Sequence, residues 1–224
     1  PLAEAGLRRV NVSLDTLDPH KFRRLTRFGD IEHVWEGIDA AERAGLTPIK
    51  INMVVIRGVN DDELCDLARL TLAHRWHVRF IELMPVGNNG DWGEGLPLEG
   101  DRYFPVQAMK ERLAPLGLAP CQGLAGNGPA RTFRIPGALG TVGCIAPLGE
   151  HFCAAGNRLR LTADGRLRPC LLSDIEVPVR EALRMGNPLT PLIQQAVELK
   201  PPGHELLTSV AGAPQNRMMC QIGR

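Results

Sequence analysis

Several features are scarce in this chain of 224 residues, and each scarcity excludes a class of protein. Aromatic residues make up only 4% of the chain, so the core must be mainly aliphatic. The formal net charge is +1, which provides no general attraction to nucleic acid or to a membrane surface. No apolar run approaches the roughly 20 residues that a membrane span needs. The six cysteines follow no signal peptide, so they favour a reducing, cytoplasmic setting over a secreted disulfide scaffold.

The first part of the chain alternates between strand and helix patterns. Residues 8–15, 49–56 and 77–84 predict strands, and residues 31–44 and 61–74 predict the helices between them. Strand and helix in strict alternation predict a parallel sheet.

Each predicted strand has a polar face, whereas strands of an open doubly wound sheet are usually apolar on both faces. Taken singly, each polar side chain is best explained as a strand-end residue that reaches water. The same pattern on three strands favours a barrel lumen that holds a polar ligand near the carboxyl ends of the strands. The polar faces carry Asn11, Ser13 and Asp15, then Lys50 and Asn52, then Glu82 and Met84.

Three strands make only about half of a barrel, because a closed α/β barrel of this type has eight. We therefore predict an α/β fold with a partial, incomplete TIM-type barrel in residues 1–100. A glycine-rich run over 85–100 predicts a loop at the boundary, and residues 101–224 predict a C-terminal α+β region. The chain starts at Pro1 and enters a strand almost at once, which we interpret as a fragment of a longer reading frame.

A hairpin pattern with two cysteines organises the C-terminal region. Asp164-Gly165 is typical of a two-residue type I′ turn, and closing it would bring Cys170 back towards Cys153. Arg158 and Arg160 are two residues apart on the first strand and therefore share a face. Two thiols beside two guanidinium groups predict a soft-metal site next to a grip for a phosphorylated ligand.

The residues alone leave other interpretations of this region open. Cys153 and Cys170 suggest zinc about as well as an iron–sulfur cluster, with His151 as a third zinc ligand. The bunched arginines are also typical of a solvated basic face. Among the other cysteines we expect Cys65 to pack as a small apolar side chain and Cys121, Cys144 and Cys220 to be free thiols.

The stretch F-C-A-A-G-N-R-L-R-L-T-A-D-G-R-L-R-P-C-L resembles the second iron–sulfur motif of the GTP 3′,8-cyclases. These radical S-adenosylmethionine (SAM) enzymes begin molybdenum cofactor biosynthesis. The family spaces its cysteines as C-x2-C-x13-C, whereas this chain has Cys153, Gly156 and Cys170. The resemblance continues in R-R-V-N-V-S-L-D-T-L-D, P-I-K-I-N-M-V-V, I-E-L-M-P-V-G and G-P-A-R.

The resemblance implies a radical SAM barrel and three groups of site residues, and it leaves any catalytic side chain unknown. These are Lys50, Arg131, Arg158 and Arg160 for GTP, Ser13 and Met84 for S-adenosylmethionine, and Cys153 and Cys170 for a substrate-side [4Fe–4S] cluster.

The implied reaction begins with reductive cleavage of S-adenosylmethionine at a second [4Fe–4S] cluster. The 5′-deoxyadenosyl radical then takes the 3′ hydrogen of GTP, and C3′ closes onto C8 of the base. The implied partners are GTP and the downstream cyclic pyranopterin monophosphate synthase, with a homodimer as one option and neither nucleic acid nor membrane.

Three departures qualify what the resemblance implies. The family holds its radical-generating cluster with a C-x3-C-x2-C motif in the N-terminal half, and this chain has none, so we expect it not to turn over GTP by itself. Gly156 removes one thiolate, and the end Gly223-Arg224 replaces the Gly-Gly of the family. The alternatives are a peptide maturase with an auxiliary cluster, or a degenerate, non-catalytic or zinc-stabilised paralogue.

Overall fold

A computed structural model of the chain describes residues 2–85, 101–123, 128–150, 156, 158–201, 203, 217, 221 and 222. The described residues fall into two compact units. The first contains residues 2–83 and the described part of 101–150. The second contains Met84, Pro85 and the described residues from Gly156 onward.

The first unit is built from one mixed sheet and the helices that connect its strands. The predicted βα alternation is confirmed, and a short helix that was not predicted, α1, follows the first strand. In chain order the elements are β1 (Val10–Ser13), α1 (Pro19–Thr26), α2 (Ile31–Arg43), β2 (Ile49–Val55), α3 (Leu64–Ala73), β3 (His77–Glu82), α4 (Val106–Leu113), β4 (Ala119–Pro120), β5 (Arg131–Arg134) and β6 (Thr141–Ile145).

The sheet has six strands in the order β1-β2-β3-β6-β5-β4. Strands β1, β2, β3 and β6 are parallel neighbours, and β5 and β4 extend the sheet in antiparallel pairing. The fold is therefore α/β with a mainly parallel sheet, as predicted. Placing β6 beside β3 adds a fourth parallel strand to the three that the sequence indicated.

The two faces of this sheet differ in chemistry. One face packs against the helices, with Ile51, Val78 and Val142 in register on adjacent strands and all three fully buried. Helix residues such as Ile38 and Leu67 belong to the same core. Each such aliphatic side chain contributes about 1.5–3 kcal/mol through burial.

The opposite face of the sheet carries polar side chains in two rows across the strands. In the first row Asn11 is level with Lys50, and Lys50 with His77. In the second row Ser13 is level with Asn52, and Asn52 with Arg79. The polar faces predicted for the first two strands are therefore present.

Asn60 lies just before α3 but has a buried role and does not cap the helix. The cap position is Glu63, which has no side-chain cap bond. The fully buried Asn60 amide instead donates to the carbonyls of Asp15 and Val54, at 2.6 and 2.9 Å, and accepts from the N–H of Ile56 at 2.7 Å. It ties the ends of β1 and β2 together.

The second unit contains a small antiparallel sheet and two helices. Val177 and Pro178 form a strand that pairs with the hairpin, and the helix that follows begins at Arg180. The elements are β7 (Arg160–Leu161), β8 (Arg166–Arg168), β9 (Val177–Pro178), α5 (Arg180–Arg184) and α6 (Thr190–Glu198), with sheet order β7-β8-β9.

The predicted boundary at residue 100 lies in the segment 86–100, outside the described residues, and it stays a prediction. Within the part of the chain that the structure describes, no helix is both long and apolar enough to cross a lipid bilayer.

Candidate functional site

The first unit contains a cavity of about 560 Å³ over the polar face of its sheet. This volume lies within the range of about 300–1,000 Å³ that is usual for small-molecule sites. The parallel strands β2, β3 and β6 form its floor, and the segment 128–132 together with residues 121–123 contributes the remaining described lining. The lining residues are Lys50, His77, Arg79, Cys121, Gln122, Gly123, Gly128, Ala130, Thr132, Thr141 and Gly143.

Arg79 is held rigidly on the floor of this cavity. Its Nε donates to Oδ1 of Asn52 at 2.7 Å, and its Nη2 donates to Oδ1 of Asn11 at 2.9 Å. Gly143 lies beside it on β6, where a Cβ would stand 3.2 Å from Cγ of Arg79. The two asparagines therefore fix the guanidinium plane, and the glycine leaves space for its stem.

His77 lies between Lys50 and Thr141 across three adjacent strands. Its Nδ1 is 2.7 Å from Oγ1 of Thr141. Burial of the ring lowers the pKa of His77 below its usual 6.5, and the positive charges of Lys50, Arg79 and Arg134 lower it further. The imidazole is therefore mostly neutral at pH 7.

The charge of the cavity indicates an anionic ligand. Lys50 and Arg79 both line it, and none of its described lining residues is acidic. Two cations without a carboxylate in the same wall favour binding of a multiply charged anion, because each cation can offer a charge-assisted hydrogen bond. A phosphate chain is such an anion, because it carries several negative charges and its oxygens accept hydrogen bonds.

The prediction that Glu82 belongs to the polar face of β3 is wrong. Glu82 lies on the helix-covered face and is fully buried, while His77 and Arg79 occupy the polar face. The carboxylate is stable there because it accepts four hydrogen bonds: from the hydroxyl of Tyr103, and from the N–H groups of Val106, Leu148 and Gly149. The alternation His-Val-Arg-Phe at the start of the strand was the sequence signal for Arg79 and His77.

Arg131 was predicted to contact GTP, and the geometry does not bring it to this cavity. Its strand neighbour Thr132 lines the cavity, so Arg131 lies on the opposite face of β5. Nε of Arg131 is 2.9 Å from Oε2 of Glu150. Gly128 and Ala130, from the same predicted segment, do line the cavity.

The two predicted S-adenosylmethionine contacts lie in different units. Ser13 is exposed at the carboxyl end of β1, level with Asn52 but outside the cavity lining. Met84 is partly buried in the second unit. Asp15, which the sequence also placed near this site, accepts a hydrogen bond from the N–H of Val54 at 2.7 Å, and burial raises its pKa.

The predicted hairpin is present in the second unit, with a different turn. Arg160 pairs with Arg168 and Leu161 with Leu167, and the N–H of Thr162 donates to the carbonyl of Arg166 at 2.9 Å. The loop is therefore residues 163–165, three residues instead of two. Only Gly165 in this loop has a positive φ, of 81°, whereas a type I′ turn needs two such residues. The turn is therefore of the bulged three-residue kind.

Cys170 lies near Arg158 and Arg160 on this hairpin. Continued by two residues, the register places Cys170 level with Arg158. Arg160 is half-buried, and burial lowers its pKa, with a further contribution from the positive charge of Arg158. The predicted juxtaposition of these three residues thus agrees with the backbone register.

Lys200 holds the chain segment that leads into β7. Its Nζ donates to the carbonyl of Gly156 at 2.6 Å and to the carbonyl of Arg158 at 3.1 Å. Lys200 was not predicted as a site residue, because its two backbone partners lie more than 40 residues away in the chain.

The predicted metal site is described only in part. Cys153 and the alternative zinc ligand His151 lie outside the described residues, and the described ones contain no group of three or more His, Cys, Asp or Glu that could hold a metal ion. Gly156 has no donor side chain. Cys144, the nearest spare thiol in sequence, is buried in β6, and this burial raises its pKa to about 11. The donor set therefore does not fit a three-thiolate cluster.

Sequence profiles of two families match consecutive parts of the chain. The family described as Molybdenum Cofactor Synthesis C matches residues 76–206, more than half of the chain. The profile of the Radical SAM superfamily matches residues 1–71.

Curated proteins named GTP 3′,8-cyclase are similar over nearly the whole chain. The protein of Heliobacterium modesticaldum is 50% identical over 227 residues, and that of Moorella thermoacetica is 49% identical over 226 residues. The protein of Pelotomaculum thermopropionicum is 45% identical over 229 residues. Each match covers 99% of this chain and 67% of the relative.

Proposed function

Because this chain belongs to the GTP 3′,8-cyclase family, we propose that it acts in the radical conversion of GTP to (8S)-3′,8-cyclo-7,8-dihydroguanosine 5′-triphosphate. This reaction belongs to molybdenum cofactor biosynthesis. Within it, we assign the cavity of the first unit to the triphosphate of GTP.

The observation that carries the assignment is the pair of cations on the cavity floor. Lys50 and Arg79 lie on adjacent strands of the sheet and line the same cavity. Arg79 is fixed by two asparagine side chains, so little conformational freedom is lost when it binds an anion. Lys50 was expected from the sequence to bind GTP, and Arg79 is a further proposed contact.

The roles of the second unit rest on the resemblance of its hairpin to the family motif. We propose Arg158 and Arg160 as GTP contacts and Cys153 and Cys170 as cluster ligands. By the same resemblance, we propose Ser13 and Met84 as S-adenosylmethionine contacts. S-adenosylmethionine, cleaved reductively, supplies the 5′-deoxyadenosyl radical for hydrogen abstraction. Since Gly156 leaves the donor set one thiolate short, no further step is assigned to the cluster.

The comparisons do not favour the two alternatives, a peptide maturase or a degenerate paralogue. The cationic cavity also argues against a peptide substrate, which needs no triphosphate site. The expectations that this chain alone does not turn over GTP, forms a homodimer, or hands its product to cyclic pyranopterin monophosphate synthase stay proposals.

Calorimetric titration of this chain with GTP and with guanosine tests the triphosphate assignment. Each of Lys50→Met and Arg79→Met should weaken GTP binding by about 10- to 100-fold, because each removes a charge-assisted hydrogen bond worth about 1.5–3 kcal/mol. Guanosine should bind far more weakly than GTP and should be insensitive to both changes.

Arg69→Met is the matched control, because Arg69 forms a surface ion pair with Asp66 on α3 and is 54% exposed. Such pairs contribute about 0–1 kcal/mol, so this variant should bind GTP as the wild type does. Wild-type GTP affinity in both cavity variants, with folding confirmed by circular dichroism, would overturn the assignment.

A further inference from the structure

The proposed phosphate cavity contains a third group that can become cationic. His77 is the register partner of Lys50 and lies two residues from Arg79 on the same face of β3. All three side chains line the cavity. A ligand that contacts Lys50 and Arg79 must therefore come close to the imidazole ring.

Thr141 allows the imidazole ring to exist in either charge state. Its hydroxyl lies 2.7 Å from Nδ1 of His77, and the residue is almost fully buried. A hydroxyl can donate to the lone pair of a neutral ring or accept from the N–H of a charged ring. Nδ1 is satisfied in both cases, so Nε2 is the ring nitrogen left for a ligand.

Burial and the charges that face His77 both favour its neutral form in the ligand-free protein. Among the described residues, the charged groups that act on it are Lys50 on β2, Arg79 on its own strand and Arg134 on β5, and all three are positive. Burial of the ring, and then these charges, hold the pKa of His77 below 6.5 in the ligand-free protein. A bound polyphosphate reverses the local sign of charge and raises this pKa.

We propose that His77 takes up a proton when a polyphosphate binds beside Lys50 and Arg79, and that it then donates from Nε2 to a phosphate oxygen. The proton comes from solvent, and the ring changes from neutral to singly positive. This inference rests on the proposed function of the cavity and adds to it a pH-dependent contact.

The direction of the pH dependence follows from linkage. Above the His77 pKa of the complex, and again below that of the free protein, proton uptake is zero. Between these two values affinity rises as pH falls, by at most about tenfold per pH unit for one proton. The phosphate groups of the ligand also titrate here, so the contribution of His77 is the difference between the wild type and a variant that cannot take up the proton.

Isothermal titration calorimetry in buffers of different ionisation enthalpy measures this proton uptake. The chain is titrated with GTP and separately with inorganic tripolyphosphate, between pH 6 and pH 8. His77→Gln should take up fewer protons than the wild type, by a difference between zero and one that reaches a maximum in this range, and should bind up to about tenfold more weakly at the lower pH.

Two further variants separate the role of the ring from general damage. Thr141→Val removes the partner of Nδ1 and should reduce the proton uptake, whereas Thr141→Ser retains the hydroxyl and should preserve it. His33→Gln is the matched control, because His33 is exposed on α2 and is not among the cavity-lining residues, so its proton uptake should equal that of the wild type.

The outcomes divide cleanly between this inference and the proposed function. Binding of GTP with equal proton uptake in the wild type and His77→Gln overturns the inference and leaves the proposed function intact. Tripolyphosphate binding with His77-dependent uptake, but no GTP binding, supports the inference and overturns the proposed function. Binding of neither ligand overturns both.

If His77→Gln unfolds, NMR titration of the His77 ring in the wild type replaces the variant. An upward shift of the His77 pKa on addition of tripolyphosphate supports the inference, and the absence of this shift overturns it.

Discussion

Glu82 shows how one buried side chain can hold several distant segments together. Its two carboxylate oxygens accept hydrogen bonds from Tyr103 and Val106 on one side and from Leu148 and Gly149 on the other. A Cβ on Gly149 would stand 2.6 Å from Oε1, so only glycine lets the backbone approach this closely. The residue connects β3, the start of α4 and the turn after β6.

Glu82→Gln should destabilise the protein by about 2–4 kcal/mol, because the amide nitrogen would face N–H donors in a fully buried position. Urea unfolding followed by circular dichroism measures the change. The control is Glu36→Gln on the exposed face of α2, for which we expect a change within about 0.5 kcal/mol. Equal stability of the two variants would show that the carboxylate network is not needed for the fold.

At the scale of elements, two basic residues tie later parts of the chain to the hairpin of the second unit. Lys200, just after α6, binds the carbonyls on both sides of position 157. Arg217 donates to Glu176 through Nε and Nη2, and also to Asp164 in the hairpin turn at 2.8 Å. Both residues hold local chain segments in place and are not part of the hydrophobic core.

Lys200→Met should loosen the segment before β7 without unfolding the chain. Loss of two charge-assisted bonds to carbonyls should reduce amide protection around Arg158–Leu161 by about tenfold or more. Hydrogen exchange with mass spectrometry measures this directly. Lys200→Arg, which keeps the charge, should retain part of the protection. Unchanged exchange in Lys200→Met would mean that other contacts hold the segment.

The ion pairs of Arg217 predict a pH-dependent stabilisation. Hydrogen bonds from Arg217 hold the pKa of Asp164 and that of Glu176 below their usual values. Their stabilising effect is therefore complete above the unfolded-state pKa values of about 4 and is lost as pH falls below them. Arg217→Met should lower the melting temperature by about 2–4 °C at pH 7 and by progressively less below pH 4.

Thermal unfolding of the wild type and Arg217→Met between pH 3 and pH 7 provides this comparison. Arg184→Met, on the exposed face of α5, is the control and should leave the melting temperature unchanged at each pH. A difference between wild type and Arg217→Met that stays constant down to pH 3 would contradict the assignment to these carboxylates.

At the scale of the whole molecule, the boundary between the two family matches lies inside one folded unit, the first. The two family profiles divide the chain between residues 71 and 76, just before β3. Strands β2 and β3 are nevertheless hydrogen-bonded neighbours in one sheet. The cavity that they share contains Lys50 from one matched region and Arg79 from the other, so the proposed phosphate site depends on both.

Gly156 is where this chain departs most from the motif it resembles. Gly156→Cys should increase the iron and sulfide bound after anaerobic reconstitution, towards about four irons per chain, because a third thiolate completes the donor set. Metal analysis and the cluster absorption band measure the effect, with Ala155→Cys as a positional control. Equal iron in Gly156→Cys and the wild type would show that the missing thiolate does not limit cluster binding.

Local patterns predicted most elements because they depend on neighbours in the chain. The strands β1, β2 and β3 follow from their alternation, and the helices α2 and α3 follow from their helical period. Helix α1 was missed because Phe22 is its only buried residue, although Asp18 caps it and Pro19 is its first residue. The sequence therefore indicated this helix only through its capping residue, Asp18, and the proline at its first position, Pro19.

The sequence by itself determined the α/β class and the family resemblance, because both depend on patterns along the chain. Tertiary structure alone decided that His77, Arg79 and Thr141 join Lys50 in one cavity, since β6 reaches β3 only after more than 50 intervening residues. It also decided that Glu82 is buried and that Arg131 lies away from the cavity. The physical reason is that alternation along a strand defines two faces, whereas packing against the helices determines which face is buried.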